Sequence, residues 1–574
     1  MAGCVLQASS TVDATSSYIV QGINISEVQS IVSGIGGEIT HELGLINAVA
    51  AALGPSQVER LRNAPGISRI LANGAVTTAG KGGKSKRASS ETETTSSTTE
   101  TDATTTTDTP GDAYSQYPSL VDADRLHAEG ITGWGVTVAV LDSGIYSGPG
   151  LSSNTYGDLR IAVAYDATTD TEFRPVSKRK SRSLTGLEDF DNDDNGHGSH
   201  IASTGFNSKL SNEGKFNGVA PDVKLVSVKV FDASGVGTYA DVIRGVEWVV
   251  ANQANLRIRV MNMSLSAPAQ SQYWDDPLNQ AVMAAWRAGV VVVASAGNGG
   301  PDAQSIGVPG NVPYIITVGA MTDNYTPADG GDDELASFSA VGPTYEGFVK
   351  PEVVAPGGHI MAAMQEDSAI ALEHPEFHNG ASFFTMSGTS QATAVVSGIA
   401  ALVLQMEPAL TPDEVKCKIM SSARPAVNSD GSLAYSVFQQ GAGLVNAYDA
   451  AYKWNYDCAN KGLDIDADVA GTKHFGGRAN QDASGSYYLM GLDGYLWTNG
   501  SAAGSGYLWT DAYLWSDGYL WTNAYLWTNG SANANGYMWT DSQMQSNGYL
   551  WTDGYLWTNG LTETMSINSW VEPE

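Results

Sequence analysis

Three short segments bring together the residue types that amide hydrolysis needs. Val138-Ala139-Val140-Leu141-Asp142-Ser143-Gly144-Ile145 puts a carboxylate at the end of an apolar run, just before a glycine. Asn195-Gly196-His197-Gly198-Ser199-His200-Ile201-Ala202 sets an imidazole between glycines. Met386-Ser387-Gly388-Thr389-Ser390-Gln391-Ala392 carries a serine that opens an apolar helical stretch running to Gln405. A hydroxyl attacks an amide at neutral pH only when a base takes its proton and a carboxylate orients that base. Asp142, His197 and Ser390 supply those parts, each near glycines that let backbone approach closely. Singly they are weak signals. An Asp after a strand is more often a turn former, a lone His more often structural, and Gly-Thr-Ser recurs by chance. In conjunction they point to nucleophilic hydrolysis.

Such groups must be held by a rigid scaffold. Val136–Leu141, Val223–Val230, Arg259–Leu265 and Val290–Ala294 are near-continuous apolar runs separated by helical patterns. Runs of this kind are buried parallel strands, so residues 112–460 are expected to form an α/β domain around a central parallel sheet. Residues 1–16 form an N-terminal tail, and residues 17–79 a small unit with its own alternation. There, Tyr18-Ile19-Val20 is strand-like, Ser26–Ser33 helical, Gly36–Ile39 the start of a strand and Pro55–Arg62 helical. Residues 80–111 read as a linker: Lys81, Lys84, Lys86 and Arg87 precede a Ser/Thr run dotted with Glu and Asp. It holds too little apolar surface to fold and is exposed to proteolysis.

After a connector at residues 461–493, residues 494–559 repeat the unit [Gly/Ala]-Tyr-Leu-Trp-[Thr/Ser]-[Asn/Asp], ahead of a tail at 560–574. A β-solenoid and a short-stranded meander both fit this spacing. Its aromatic rows serve either as the repeat's own core or as a platform for a surface or polysaccharide.

Composition removes several partner classes. The chain has 574 residues, 30 Lys and Arg against 61 Asp and Glu, and a formal charge of -31. Such a surface repels nucleic acid and anionic membrane, and no run of about 18 apolar residues marks a transmembrane helix. With 42% hydrophobic and 16% charged residues the chain is globular. Three cysteines are too few for a disulfide scaffold. Cys417 and Cys458 either pair in an oxidising compartment or remain two free thiols. Met1-Ala2-Gly3-Cys4 lacks the charged and apolar regions of a signal peptide. It is similar to the end of a lipoprotein signal; a trimmed export signal and a chance match both remain open.

The three segments resemble the signature regions of subtilisin-like serine proteases, over roughly residues 112–460. The resemblance implies Ser390 as nucleophile, His197 as general base and acid, and Asp142 as its orienter, with His200 structural. Ala294-Ser295-Ala296-Gly297-Asn298-Gly299 resembles the oxyanion segment, so that Asn298 and the Ser390 backbone amide would bind the developing charge. Ser234-Gly235-Val236-Gly237 is similar to one substrate-pairing edge. Met263-Ser264-Leu265-Ser266-Ala267 is similar to the opposing edge. Ala296 and Gly297 are further implied substrate-binding residues, and Gly307 would leave the primary pocket open for large apolar side chains. Ser266 and Ala267 stand where the family usually has glycine, Ser199 replaces Thr, Ser203 replaces Gly and Ala394 replaces Pro. None of these removes a catalytic atom.

Tyr18-Ile19-Val20, Leu45–Ala51 and Pro65-Gly66-Ile67 are similar to the family's inhibitory propeptide, a ferredoxin-like α+β fold. The chain's own propeptide is then its intramolecular inhibitor. No cofactor is implied for catalysis. Asp189, Asp191 and Asp193 crowd oxygens just before His197, where a structural calcium site and a solvated acidic loop fit equally. The resulting expectation is a secreted, extracellular serine endopeptidase acting on proteins and peptides, made as an autoinhibited precursor and surface-attached if the tail docks. The alternative is a surface- or polysaccharide-binding protein with the protease fold as scaffold.

Overall fold

The structure, a computed structural model, describes residues 15–79, 116–148, 150–174, 192–211, 213–326, 330–380, 382–429, 432–482 and 485–489, with short strands at 497–498, 501–502 and 565–569. The linker at 80–111, nearly all of the repeat at 494–559, and Asp189 and Asp191 lie outside the described residues.

The N-terminal unit runs β1 (Ser16–Gly22), α1 (Ile25–Gly34), β2 (Glu38–Leu43), β3 (Ala48–Leu53), α2 (Pro55–Arg62) and β4 (Ile67–Ala72). Asn24 caps α1 by accepting from the Glu27 amide at 2.9 Å. The strands pair antiparallel in the order β2-β3-β1-β4, a split βαββαβ arrangement. Strand alternation gives the sheet two apolar faces. Val20, Val49 and Ala51 pack under the helices with Val28, Val32 and Leu61. Ile19, Leu43, Ala48 and Ala50 point the other way and join the large core of the rest of the chain. A final strand, β5 (Ala75–Ala79), leaves this unit.

The large domain is built on β6 (Thr137–Asp142), β7 (Ile161–Asp166), β8 (Thr171–Phe173), β9 (Lys224–Lys229), β11 (Ile258–Met263), β12 (Val291–Ser295), β13 (Ile316–Thr322), β14 (Glu334–Leu335) and β15 (Val353–Pro356). β10 (Val236–Thr238) stands outside this sheet and pairs with β5. The order is β14-β13-β12-β11-β6-β9-β7-β8, with β15 also on β13. The ladders from β7 to β15 are parallel, and only β8 and β14 pair antiparallel. Every residue of β6, β12 and β13 is buried. That is the consequence of helices on both faces, and it is why these strands read as unbroken apolar runs.

From β6 the chain crosses to β7 and β8, returns to β9 between β6 and β7, and resumes on the other side of β6 at β11. The carboxyl ends of β6 and β11 therefore flank a topological switch point, where open α/β sheets bind ligands. α5 (His197–Phe206) and the almost wholly buried α9 (Thr389–Met406) pack together on one face, and α6 (Tyr239–Leu256) with α7 (Pro277–Arg287) on the other. α10 (Pro412–Ser422) follows α9.

Candidate active site

Asp142 is the last residue of β6, His197 the first of α5, and Ser390 the second of α9. All three are buried, with exposures of 0%, 4% and 1%. His197 Nδ1 donates to Asp142 Oδ1 at 2.7 Å, an oxygen that also accepts from the Ser143 amide at 2.8 Å. A carboxylate can only accept here, so the ring proton sits on Nδ1 and Nε2 keeps its lone pair. Nε2 is buried and makes no hydrogen bond in this state. Ser390 Oγ donates to the Ser264 carbonyl at 3.2 Å. The helices that open on the histidine and the serine pack against each other, and a serine–histidine bond is often loose until substrate is bound. Burial pulls the His197 pKa down, but the charge and hydrogen bond of Asp142, with the charge of Asp193, outweigh it and the net shift is upward.

Close approach of α5 to the end of β6 depends on Gly198. A Cβ there would meet Gly144 O at 2.1 Å and Asp142 Cβ at 3.1 Å. Gly196, at φ 99°, makes the turn that starts α5 on His197.

Asn298 lies across from the start of α9. Its Oδ1 accepts from the Thr389 amide at 2.9 Å and from Thr389 Oγ1 at 2.8 Å, which fixes the carboxamide with nitrogen outward. A point built as a Cβ on Gly388 lies 3.4 Å from Asn298 Nδ2 and 3.7 Å from the Ser390 amide. Two N–H donors thus face one small space beside the nucleophile, at the positive end of an 18-residue helix. Thr389, which orients this donor, and Gln391, whose Oε1 lies 2.7 Å from the same point, flank the serine in the motif, where their residue types alone do not mark such roles.

The Ser234–Gly237 edge is shaped by Asp232, whose Oδ1 accepts from the amides of Ser234 and Val236, both at 2.9 Å. β10 then pairs antiparallel with β5: Thr238 with Ala75, Gly237 with Val76, Val236 with Thr77. The opposing edge behaves differently. Among the described residues no ladder or bridge joins Ser264–Ser266 to β5; the strand Met565–Ser569 lies along that strand's other side, in parallel. Ser264 is tied instead to the nucleophile, its Oγ donating to the Ser390 carbonyl at 2.9 Å.

The pocket beside Ser390 has three walls. Gly297 N donates to Thr389 Oγ1 at 3.3 Å, and Gly307 N to Ala296 O at 3.1 Å. Ala267 and Val308 exchange backbone hydrogen bonds of 2.9 and 2.6 Å. Leu265–Ala267, Ala296–Gly297 and Gly307–Val308 are thereby brought together. A Cβ on Gly307 would lie 2.0 Å from Ser266 Oγ, and one on Gly297 2.7 Å from it. The serine at position 266 stands in the gap that the two glycines leave.

Two further expectations resolve at the residue level. His200 is structural: Nε2 donates to Phe384 O at 3.0 Å, and burial, aided by the neighbouring His197, lowers its pKa to about 3 despite backbone hydrogen bonds. Asp193 does not suit a calcium ligand. Its Oδ1 accepts from Ser143 Oγ at 2.7 Å and Gly196 N at 2.9 Å, and its Oδ2 from the Ser199 amide and hydroxyl. Four protein donors occupy the lone pairs that a cation would need, and among the described residues no cluster of metal-binding side chains forms. Asp193 instead ties the Ser143 turn to α5, holding the triad's two inner members in register. Cys417 and Cys458 are joined as a disulfide, their Cα atoms 5.2 Å apart.

A family model described as the subtilase family matches residues 133–443. Serine protease AprX of Bacillus subtilis is 41% identical over 322 residues, covering 55% of this chain and 66% of that protein. Subtilisin DY of Bacillus licheniformis is 32% identical over 334 residues, covering 58% of this chain and 96% of that protein. Among solved structures, fervidolysin of Fervidobacterium pennivorans, a keratinolytic enzyme related to subtilisin, superposes with a TM-score of 0.55 at 21% identity, over 78% of this chain and 62% of that one. It bears on the fold alone. The matched segment contains Asp142, His197, Asn298 and Ser390, and the chain belongs to the subtilase family of serine endopeptidases.

Proposed function

We propose that this chain is a secreted serine endopeptidase synthesised as an autoinhibited precursor. The observation that carries the reading is the 2.7 Å bond from His197 Nδ1 to Asp142, which leaves Nε2 buried with its lone pair free, together with the Asn298 and Ser390 N–H groups gathered at the start of α9. Ser390 Oγ adds to a peptide carbonyl and passes its proton to Nε2. The oxyanion lies between Asn298 Nδ2 and the Ser390 amide. The imidazolium, stabilised by Asp142, returns the proton to the leaving nitrogen, and water hydrolyses the acyl-enzyme by the reverse path.

Autoinhibition is supported by the pairing of β5 with β10, which puts the strand leaving the N-terminal unit on a substrate-binding edge. A disulfide favours an oxidising compartment and hence export. The test is intact mass over time for purified wild type beside Ser390→Ala. Cutting in the wild type alone, between the N-terminal unit and the large domain, is expected. If both chains stay whole and neither hydrolyses an unfolded protein, the endopeptidase reading fails.

A further inference from the structure

A hairpin that ends just before Ser390 also reaches back to the turn that carries His197. Its strands, β16 (Ile360–Ala363) and β17 (Phe383–Met386), pair antiparallel, Ile360 with Met386 and Ala363 with Phe383. Between them the chain makes an excursion that holds α8 (Ala369–Glu373), with Ser368 as its N-cap. The N–H groups of a helix's first turn have no partners inside the helix. Here the first two are used outside it: Ala369 N donates to Asp194 O at 2.9 Å and Ile370 N to Asn195 O at 3.1 Å. Those carbonyls belong to the two residues just before Gly196-His197.

Side chains close the same contact. A Cβ built on Gly196 would lie 2.5 Å from Ser368 Oγ and 3.1 Å from Met364 Cγ, so both pack directly on the Gly196 backbone. Ser368 is 1% exposed. Met364 and Ala371 in turn share one buried apolar cluster with Phe384 and Met386 of β17. The hairpin holds α5 at two further points, where Ala363 N donates to Ser203 Oγ at 2.8 Å and Phe384 O accepts from His200. Asp193 ties the histidine turn to the end of β6. The hairpin ties it to the strand that leads into the nucleophile.

We infer that residues 364–380 are a positioning device for catalysis: through the first amides of α8 and through Ser368 they hold the His197 imidazole in register with Ser390, without touching substrate. The inference rests on the endopeptidase reading of the site. A general base acts only within hydrogen-bond reach of the proton it takes, and a displacement of about 1 Å costs about 10²-fold in rate. Loosening the contact therefore lowers kcat and spares KM.

The experiment uses the full chain with a peptide p-nitroanilide and a fluorophosphonate, rates being expressed per Ser390 labelled at completion. Ala369→Pro is the main variant. Proline suits the first position of a helix, and Ser368, at φ −67° and ψ 153°, already has the extended backbone that a following proline requires. The change replaces the N–H that holds Asp194 O with a ring carbon. It is expected to lower kcat by about 10- to 100-fold at unchanged KM, and to slow fluorophosphonate labelling by the same factor. Leu372→Ala, on the same helix but 67% exposed, is expected to keep wild-type rates. A raised KM at unchanged kcat would make the hairpin a substrate contact and overturns the inference. So does a wild-type kcat in Ala369→Pro, or an equal loss in Leu372→Ala. If Ala369→Pro does not fold, Ser368→Ala decides: a severalfold lower kcat supports the inference and an unchanged one overturns it. If the wild type cuts no peptide and the fluorophosphonate does not label Ser390, the endopeptidase reading falls and this inference with it.

Discussion

Asn298 and His197 show how single residues acquire their roles from their neighbours. A carboxamide has two faces of opposite polarity, and here Thr389 takes the oxygen, so only the nitrogen can face the oxyanion space. His197 must be neutral to accept the serine proton, while Asp142 favours its charged form. Because that interaction raises the histidine pKa above its ordinary 6.5, kcat/KM should rise with pH through an inflection above 6.5. Asn298→Ala should keep that inflection, since it does not touch the imidazole. It should lower kcat by about 10²–10³, the magnitude known for this amide in subtilisin itself. A pH–rate profile of both proteins checks this; an inflection at or below 6.5 in the wild type would mean that Asp142 does not govern the base.

At the scale of elements, the site is the meeting of one strand end and two helix starts. β6 ends on the orienting carboxylate, α5 begins on the base and α9 on the nucleophile. The sheet's switch point and the glycines at 196 and 198 let those three ends converge. Farther out, the disulfide pins α10 to the segment after the last core helix, closing a loop between residues 41 apart. Loop closure of that size removes enough unfolded-chain entropy to contribute about 4 kcal/mol. The double variant Cys417→Ala, Cys458→Ala should lose roughly that much in urea unfolding of the mature chain. A change below about 1 kcal/mol would argue that the bond adds nothing to stability.

At the scale of the molecule, the N-terminal unit sits on α6 and α7 with an apolar face and a polar rim. Ile19, Leu43, Ile46, Ala48 and Ala50 share the core of the large domain. Around them Gln21 Nε2 donates to Gln280 Oε1 at 2.6 Å, His41 Nε2 meets Asp241 Oδ1 at 2.9 Å, and Arg69 pairs with Asp275. The partly exposed Arg69 pair contributes about 1 kcal/mol at most, whereas a carboxylate forced into the apolar centre is far more damaging. Ile46 is outside the unit's own core, so Ile46→Asp tests the interface rather than the unit's fold. Ile46→Asp should shorten the lag before proteolytic activity appears after refolding, and Arg69→Ala should barely change it. Equal lags in all three proteins would show that this interface does not govern activation.

The sequence by itself determined the chemistry and the layout. Asp142, His197 and Ser390 are legible as a carboxylate, a base and a hydroxyl set close to glycines, and Asn298 through the family resemblance of its segment. The parallel strands were legible because burial on both faces demands unbroken apolar runs, as in β6 and β12. Only the tertiary structure decided what depends on neighbours remote in the chain. By its sequence Asp193 fits a calcium site and a solvated acidic loop equally; in the fold Ser143, Gly196 and Ser199 converge on it and use its lone pairs. That Ser266 packs against Gly307, 41 positions later, is also set by the fold. The pairing of Cys417 with Cys458 and of β5 with β10 likewise needed the fold, since the spacing of two residues along a chain does not determine their separation in space.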